Sequence, residues 1–328
     1  MRPLPNTSPL QVDNLAAKSV EIAIIGAGTI GLSFAALHLI KDPSCNVTIF
    51  DTRADLREYV QRHLPGYLIE ADKDSCLNRL SFASKLEKAV QDATIVQEQG
   101  PENPEFKITI WPQIERLAPR DALFWSSTSG IPASEQSRDM KDKSRLVVVH
   151  PYNPPHIMPL LEVVPSPHTS QDMIDRTLKY WRRLGRTPVL VKKECTGFVA
   201  NRLAFALFRE ACSLVSQGVV DAQELDEIVQ ASMGPRWTVA GPFKSYHAGG
   251  GEGGLTSFMD KIGGTVQKCW DASDSDVRSH DVQVGANWQQ DVCRQTDQAY
   301  GVVDTNERDE KTRRVLNAVT DSQAKTSI

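Results

Sequence analysis

The sequence predicts an α/β protein, with a doubly wound sheet over residues 20–194 followed by an all-helical domain over residues 195–328. Three observations carry this. Short, apolar, β-rich runs alternate with helical patterns as far as Lys192, which is how βαβ units build a parallel sheet. From Gly197 onward the periodicity is mostly helical, as in Phe198–Ser216 and Asp221–Ser232. A length of 328 residues suits about two domains. Residues 1–19 contain Pro and Asn and lack an apolar core segment, so they read as a flexible N-terminal extension and not as a secretory signal.

The first strand, Val20–Ile25, is β-rich and apolar apart from Glu21, as a strand buried on both faces should be. It runs into Gly26-Ala27-Gly28-Thr29-Ile30-Gly31, then a helical pattern, Leu32–Ile40, and a second strand, Asn46–Phe50. Each glycine is there for a physical reason. Gly26 permits the tight turn, Gly28 lets backbone approach a pyrophosphate, and Gly31 lets helix pack on strand. The helix start, from Thr29 and Ile30, offers N–H groups and a positive dipole end to phosphates. Asp51 follows Gly31 by twenty residues, where a carboxylate can accept the ribose hydroxyls. The combination reads as a Rossmann-type dinucleotide site. Asp51 would repel a 2′-phosphate and so favours NAD over NADP, although the nearby Arg53 could accommodate that phosphate.

Residues 52–95 are charged and helical in pattern, with Leu56, Val60 and Leu64 at helical spacing. The strands Ala93–Val96, Ala122–Trp125 and Leu146–Val149 follow, with a helix over Phe106–Leu117 between the first two. Each strand ends in a polar cluster: Gln97–Glu102, Ser126–Ser129, and His150 with the turn after it. Ligands of open α/β sheets sit at the C-terminal ends of strands, so these clusters converge on one edge. Thr169 or Ser170 can cap a helix through Met173, Leu178 and Trp181, before a last strand, Pro188–Lys192. Asp221 and Glu224 have capping-box spacing. Gly249–Gly254 reads as a mobile loop beside the site, or else as a plain surface connector.

His150 stands at the lip of a strand and Glu162 follows twelve residues later. Oxidising an alcohol needs a base for the hydroxyl proton, and an imidazole suits that role near neutral pH. A carboxylate on the second ring nitrogen sets the tautomer and stabilises the imidazolium. The competing reading is that His150 only ends a strand in a proline turn. Ser129 and Asn201 are neutral donors able to hold the reacting oxygen; alternatively Ser129 belongs to a turn cluster and Asn201 caps a helix. His38 is expected to be packed, and His63, His156, His168 and His280 to be solvated. His247, beside the glycine run, could face substrate. No two histidines have zinc-motif spacing, so no metal is expected. A net charge of −4 gives no reason to expect nucleic acid or an anionic membrane as partner. No apolar run is long enough to span a bilayer. Six cysteines without a CxxC pair read as reduced thiols of a cytoplasmic protein.

These motifs together resemble the 3-hydroxyacyl-CoA dehydrogenase superfamily, and within it the L-gulonate 3-dehydrogenase (lambda-crystallin) branch. The likeness is carried by the glycine motif, Gln97-Glu98-x-x-Pro101-Glu102, Ser126–Ser129, His150-Pro151-x-Asn153-Pro154-Pro155 and Gly197-Phe198-x-x-Asn201-Arg202. Arg236-Trp237-x-x-x-Gly241-Pro242 and Glu307–Glu310 extend it into the helical domain. The resemblance implies His150 and Glu162 as the catalytic pair, with Ser129 and Asn201 on the substrate's reacting oxygen. It also implies Asn153 beside the nicotinamide, Glu102 and Lys107 as NAD contacts, and a homodimer formed through the helical domain. The implied reaction moves a hydride between NAD and C3 of a small 3-hydroxy acid or its thioester. Arg236 could clamp a substrate carboxylate, or form a surface ion pair. The chain departs from the family at Thr196, where Pro is usual, and over Phe243–Gly251. The same chemistry on an acyl-CoA or another carbonyl is the nearest alternative; a non-catalytic, structural NAD-binding protein is the more distant one.

Overall fold

The computed structural model describes residues 19–69 and 71–326; the extension expected over residues 1–19 lies, apart from Ser19, outside them. The chain forms two compact units that divide between Phe198 and Val199.

The first unit is an eight-stranded sheet. Its strands are β1 (Val20–Ile25), β2 (Cys45–Phe50), β3 (Leu80–Phe82), β4 (Ile95–Glu98), β5 (Leu123–Ser126), β6 (Leu146–Pro151), β7 (Leu160–Pro165) and β8 (Thr187–Leu190). They lie side by side in the order β3-β2-β1-β4-β5-β6-β7-β8. All neighbours are parallel except β6 and β7, which run antiparallel. The helices are α1 (Thr29–Lys41), α2 (Leu56–His63), α3 (Lys73–Asn78), α4 (Leu86–Val90), α5 (Pro104–Leu117), α6 (Ala133–Gln136) and α7 (Gln171–Arg183).

Successive strand residues sort onto opposite faces of the sheet. Ile22, Ile24, Val147 and Val149 join a core with α1, α2 and α7. Ala23, Ile25, Val148 and Val164 join a second core with α4, α5 and Phe198. Central strands buried on both faces are why Ile22–Ile25 of β1 and Leu146–Val149 of β6 read as unbroken apolar runs. Two strands have no such signature. β3 is three residues long at the sheet edge, inside the stretch expected to be helical. β7 follows the proline turn, whose Asn153–Pro154 peptide is cis, and carries Glu162 in its centre.

The second unit is helical: α8 (Ala200–Ser216), α9 (Ala222–Ala231), α10 (Met233–Val239), α11 (Pro242–Gly249), α12 (Gly254–Ser279), α13 (Trp288–Tyr300) and α14 (Thr305–Thr326). Asp221 and Glu224 form the expected capping box on α9, and Ser170 Oγ caps α7 by accepting from Met173 N. The Gly249–Gly254 run is not an open loop. It ends α11, makes one 3₁₀ turn and starts α12. A Cβ on Gly250 would sit 1.7 Å from Gly254 O, so glycine is required by close backbone packing at a helical corner. None of the helices among the described residues is long and apolar enough to cross a membrane.

Candidate active site

The glycine turn is shaped by contact. Gly26 has φ +105°, and a Cβ there would lie 2.8 Å from Gln99 O. A Cβ on Gly31 would lie 2.0 Å from Gly26 O, so the helix packs on the turn only because Gly31 has no side chain. A Cβ on Gly28, by contrast, would meet nothing within 4 Å. Gly28 is the N-cap of α1 and has no side chain to satisfy the first N–H groups, and Thr29 beside it is exposed while Ile30 is half-buried. Asp51 Oδ2 accepts from Ala27 N at 2.7 Å, joining the acid after β2 to the turn after β1. Arg53 is committed elsewhere: its Nε donates to Asp55 at 3.0 Å and its guanidinium lies 3.5 Å from the Tyr59 ring centroid. The Gln99 backbone packs against this turn, and the Gln99 side-chain amide, though buried, has neither its nitrogen nor its oxygen hydrogen-bonded among the described residues. An open Gly28, an uncapped helix start and an unsatisfied amide fit a polar dinucleotide at this place.

The end of β4 is wired from within. Lys107 and Glu98 are both buried and paired at 2.9 Å. Glu98 also accepts from Gly100 N at 2.6 Å and from Ser126 Oγ at 3.3 Å. A buried ion pair is tolerable when its remaining valences are met in this way. Glu102 turns toward the end of β5: its Oε1 accepts from Thr128 Oγ1 at 2.6 Å, Ser129 N at 3.0 Å, Ser129 Oγ at 3.2 Å and Gly130 N at 3.1 Å. Ser129 and Glu102 are both exposed, at the rim of the sheet's C-terminal edge.

His150 and Glu162 face each other directly in the antiparallel register of β6 and β7. His150 shares a sheet face with Leu146 and Val148, and Glu162 shares it with Val164. His150 Nδ1 lies 2.8 Å from Glu162 Oε2, and the two residues are 6% and 2% exposed. An ionised carboxylate only accepts, so this bond puts the imidazole proton on Nδ1 and leaves Nε2 with its lone pair. Phe198, fully buried, packs its ring 5.3 Å from the imidazole, centroid to centroid. Its backbone is left-handed at φ 52°, following Gly197 at φ 72°. A non-glycine residue in that region is strained and is held there by its surroundings. Asn153 is exposed in the turn after β6.

Other histidines sort differently. His38 is fully buried: its Nε2 is 2.9 Å from Gln97 Oε1 and its Nδ1 is 2.8 Å from the Tyr180 hydroxyl. Burial pushes its pKa down to about 4. His156, expected to be solvated, is half-buried; its Nδ1 lies 2.8 Å from Ser33 Oγ, and its ring meets Tyr67 edge-on. The proline turn folds back over α1, which sequence pattern does not reveal. His63, His168 and His280 are exposed.

In the helical unit, Asn201 lies in the first turn of α8 and is half-buried; the cap position belongs to Val199, so Asn201 is not the cap. Arg236 is exposed on α10 and forms no ion pair among the described residues. His247 is exposed on α11, with its ring where a Gly254 side chain would be and its Nδ1 accepting from Leu255 N at 3.2 Å. No group of three or more His, Cys, Asp or Glu among the described residues could hold a metal ion. All six cysteines are free thiols. Sequence reading assigned no individual role to Phe198, Glu98, Gln99 or Thr128; Phe198, Glu98 and Thr128 were visible only as parts of motifs.

Comparison with known proteins agrees with this geometry. Residues 21–195 match the 3-hydroxyacyl-CoA dehydrogenase NAD-binding domain, and residues 197–275 match that family's C-terminal domain. A 3-hydroxyacyl-CoA dehydrogenase of Gibberella moniliformis is 34% identical over 257 residues, covering 75% of this chain and 78% of the relative. An L-carnitine dehydrogenase of Burkholderia mallei is 36% identical over 254 residues, covering 76% and 78%. Among solved structures, an NAD+-dependent dismutase, 5-formyl-3-hydroxy-2-methylpyridine 4-carboxylic acid 5-dehydrogenase, superposes with a TM-score of 0.67 at 27% identity, covering 91% of this chain and 96% of that one. With its NAD-binding domain, its buried histidine–glutamate pair and a match running through both units, this chain belongs to the 3-hydroxyacyl-CoA dehydrogenase family and is an NAD-dependent oxidoreductase.

Proposed function

We propose that the protein oxidises the C3 hydroxyl of a small 3-hydroxy acid carrying a free carboxylate, and reduces the matching 3-oxo acid in reverse. The single observation that carries the chemistry is the buried His150–Glu162 contact of 2.8 Å. His150 Nε2 takes the hydroxyl proton, and Glu162 stabilises the imidazolium that forms. Ser129 and Asn201 hold the reacting oxygen. Bound NAD supplies the hydride acceptor. The Gly26–Gly31 turn with Thr29 and Ile30 would hold its phosphates and Asp51 its ribose. Asn153 would lie beside the nicotinamide, with Glu102 a further contact; Lys107, buried and paired with Glu98, would act through Glu98 and not touch the cofactor. Asp51, together with the commitment of Arg53 to Asp55 and Tyr59, supports NAD over NADP.

The free-acid reading rests on the relatives named L-carnitine dehydrogenases, since carnitine is itself a 3-hydroxy acid with a free carboxylate. The likeness of the motifs to the L-gulonate branch points to the same substrate class. Arg236, exposed and free of ion pairs among the described residues, is the candidate carboxylate clamp, and His247 is a second substrate-side candidate. The Gibberella relative keeps a CoA thioester as the second reading. We assign residues 195–328 to substrate selection and homodimer formation, and the protein to the cytoplasm on its free thiols.

The test is a panel of L-carnitine, L-gulonate, 3-hydroxybutyrate and 3-hydroxybutyryl-CoA, assayed with NAD and NADP. NAD-dependent turnover of a free acid is expected, and His150→Gln should lower it by about 10²–10⁴-fold while NADH binding, followed by fluorescence, stays within about twofold. Turnover confined to the thioester would overturn the free-acid reading; turnover surviving in His150→Gln would move the base elsewhere.

A further inference from the structure

We propose that Glu102 is a positioning residue that aims Ser129 and ties it to the cofactor turn, beyond any contact it makes with NAD. This deepens the proposed function and rests on its assignment of Ser129. Four donors from Thr128, Ser129 and Gly130 converge on one oxygen, Glu102 Oε1. Consecutive backbone N–H groups pointing at one acceptor make an anion-binding concavity, here filled by the chain's own carboxylate. Thr128 is buried, and its hydroxyl in turn accepts from Ile131 N at 3.0 Å, so the donors are themselves fixed. Removing the carboxylate leaves the Ser129 and Gly130 amides and two hydroxyls without their common acceptor.

The other end of the connection is the glycine turn. Glu102 closes the loop that starts at Gln99. Gln99 N donates to Ile25 O at 2.8 Å, and Gln99 O lies 2.8 Å from where a Gly26 Cβ would be. Gly100 N is held by Glu98 at 2.6 Å, and Asn103 N by Pro101 O at 2.8 Å. The loop is thus stitched to the cofactor turn on one side and to the Ser129 turn on the other. Occupancy of the dinucleotide site is thereby transmitted to Ser129 through a short segment anchored at both ends. This predicts that cofactor binding orders the Ser129 turn.

Two measurements on the full chain test this. Hydrogen–deuterium exchange of the peptide spanning residues 126–131 should slow when NADH is added to wild type. In Glu102→Ala it should be at least about tenfold faster than in wild type and no longer respond to NADH; this fold-change is the scale of one lost hydrogen bond. Glu102→Gln keeps an acceptor oxygen and should restore most of the protection, which separates positioning from misfolding. Unchanged exchange in Glu102→Ala, or no rescue by Gln, overturns the proposal. The second measurement is a double-mutant cycle on kcat with the panel acid that turns over fastest. Ser129→Ala should lower kcat by about 10-fold or more, and the Glu102→Ala/Ser129→Ala double variant should fall no more than about twofold further, because both act through one hydroxyl. Additive losses overturn the inference alone. No loss in Ser129→Ala instead sinks the role given to Ser129, while the exchange result still decides whether Glu102 clamps the turn.

Discussion

The two units solve opposite problems. In the sheet unit, apolar side chains are sunk in two cores and the functional polar groups are bonded to one another: His150 to Glu162, Lys107 to Glu98, the Ser129 turn to Glu102. In the helical unit, α9, α10, α11 and α13 carry no buried residue at all, and large apolar side chains face outward, including Leu203 at 64%, Val239 at 72% and Phe243 at 79% exposure. Scattered exposed leucines are ordinary, but this density of aromatic and aliphatic surface on one unit is what the homodimer proposed above would cover. The His150–Glu162 pair is held within one unit, whereas the other presents surface that the proposed second copy of the chain would cover. The first is therefore expected to be sensitive to single polar changes and the second to changes in association.

The largest expected effect lies in the wired unit. Glu162→Gln keeps the shape but loses the charge that stabilises the imidazolium and sets its tautomer. Turnover should fall by about 10²–10⁴-fold with KM for NAD little changed; full activity would reduce the buried pair to a packing feature. Next comes His38, whose pKa is held down to about 4 by burial. Its folded value lies below the unfolded one of 6.5, so the fold binds this proton less readily than the unfolded chain. Stability is then complete above pH 6.5 and declines as pH falls from 6.5 toward 4, by on the order of 3 kcal/mol, at about 1.4 kcal/mol per unit. Denaturant midpoints across that range should show the loss, and His38→Gln should flatten it; an equal slope in the variant would assign the acid sensitivity elsewhere. The smallest effect on the chemistry is expected on the helical face. Leu203→Glu with Phe208→Glu should shift a dimer toward monomer in sedimentation while leaving the stability of the sheet unit within about 0.5 kcal/mol. A wild-type chain that sediments as a monomer would break the comparison itself.

Legibility followed the same divide. The glycine turn, Asp51, the central strands and the capping box were readable because each is a local pattern with a local cause: a missing Cβ, an apolar run, a hydrogen bond three residues away. β3 was missed because a three-residue edge strand has no periodicity to detect. Of the two readings of Gly249–Gly254, mobile loop or surface connector, the run is a tight connector between α11 and α12, because glycine serves both mobility and close backbone approach and only the neighbouring chain decides which. His156 was misread because its partner, Ser33, is 123 residues away.

The sequence by itself determined that the chain has a dinucleotide turn, that polar clusters end three strands, and that a histidine and a glutamate stand close enough in the chain to meet. These follow from short-range patterns whose physics is complete within about a dozen residues. Only the tertiary structure decided how they meet. Chain reversal at Asn153–Pro155 makes β7 antiparallel to β6, and a register that pairs His150 with Glu162 puts both side chains on one buried face. A slip of one residue would have turned the carboxylate to the other side of the sheet. Burial then strengthens the bond between them, because little solvent reaches either group.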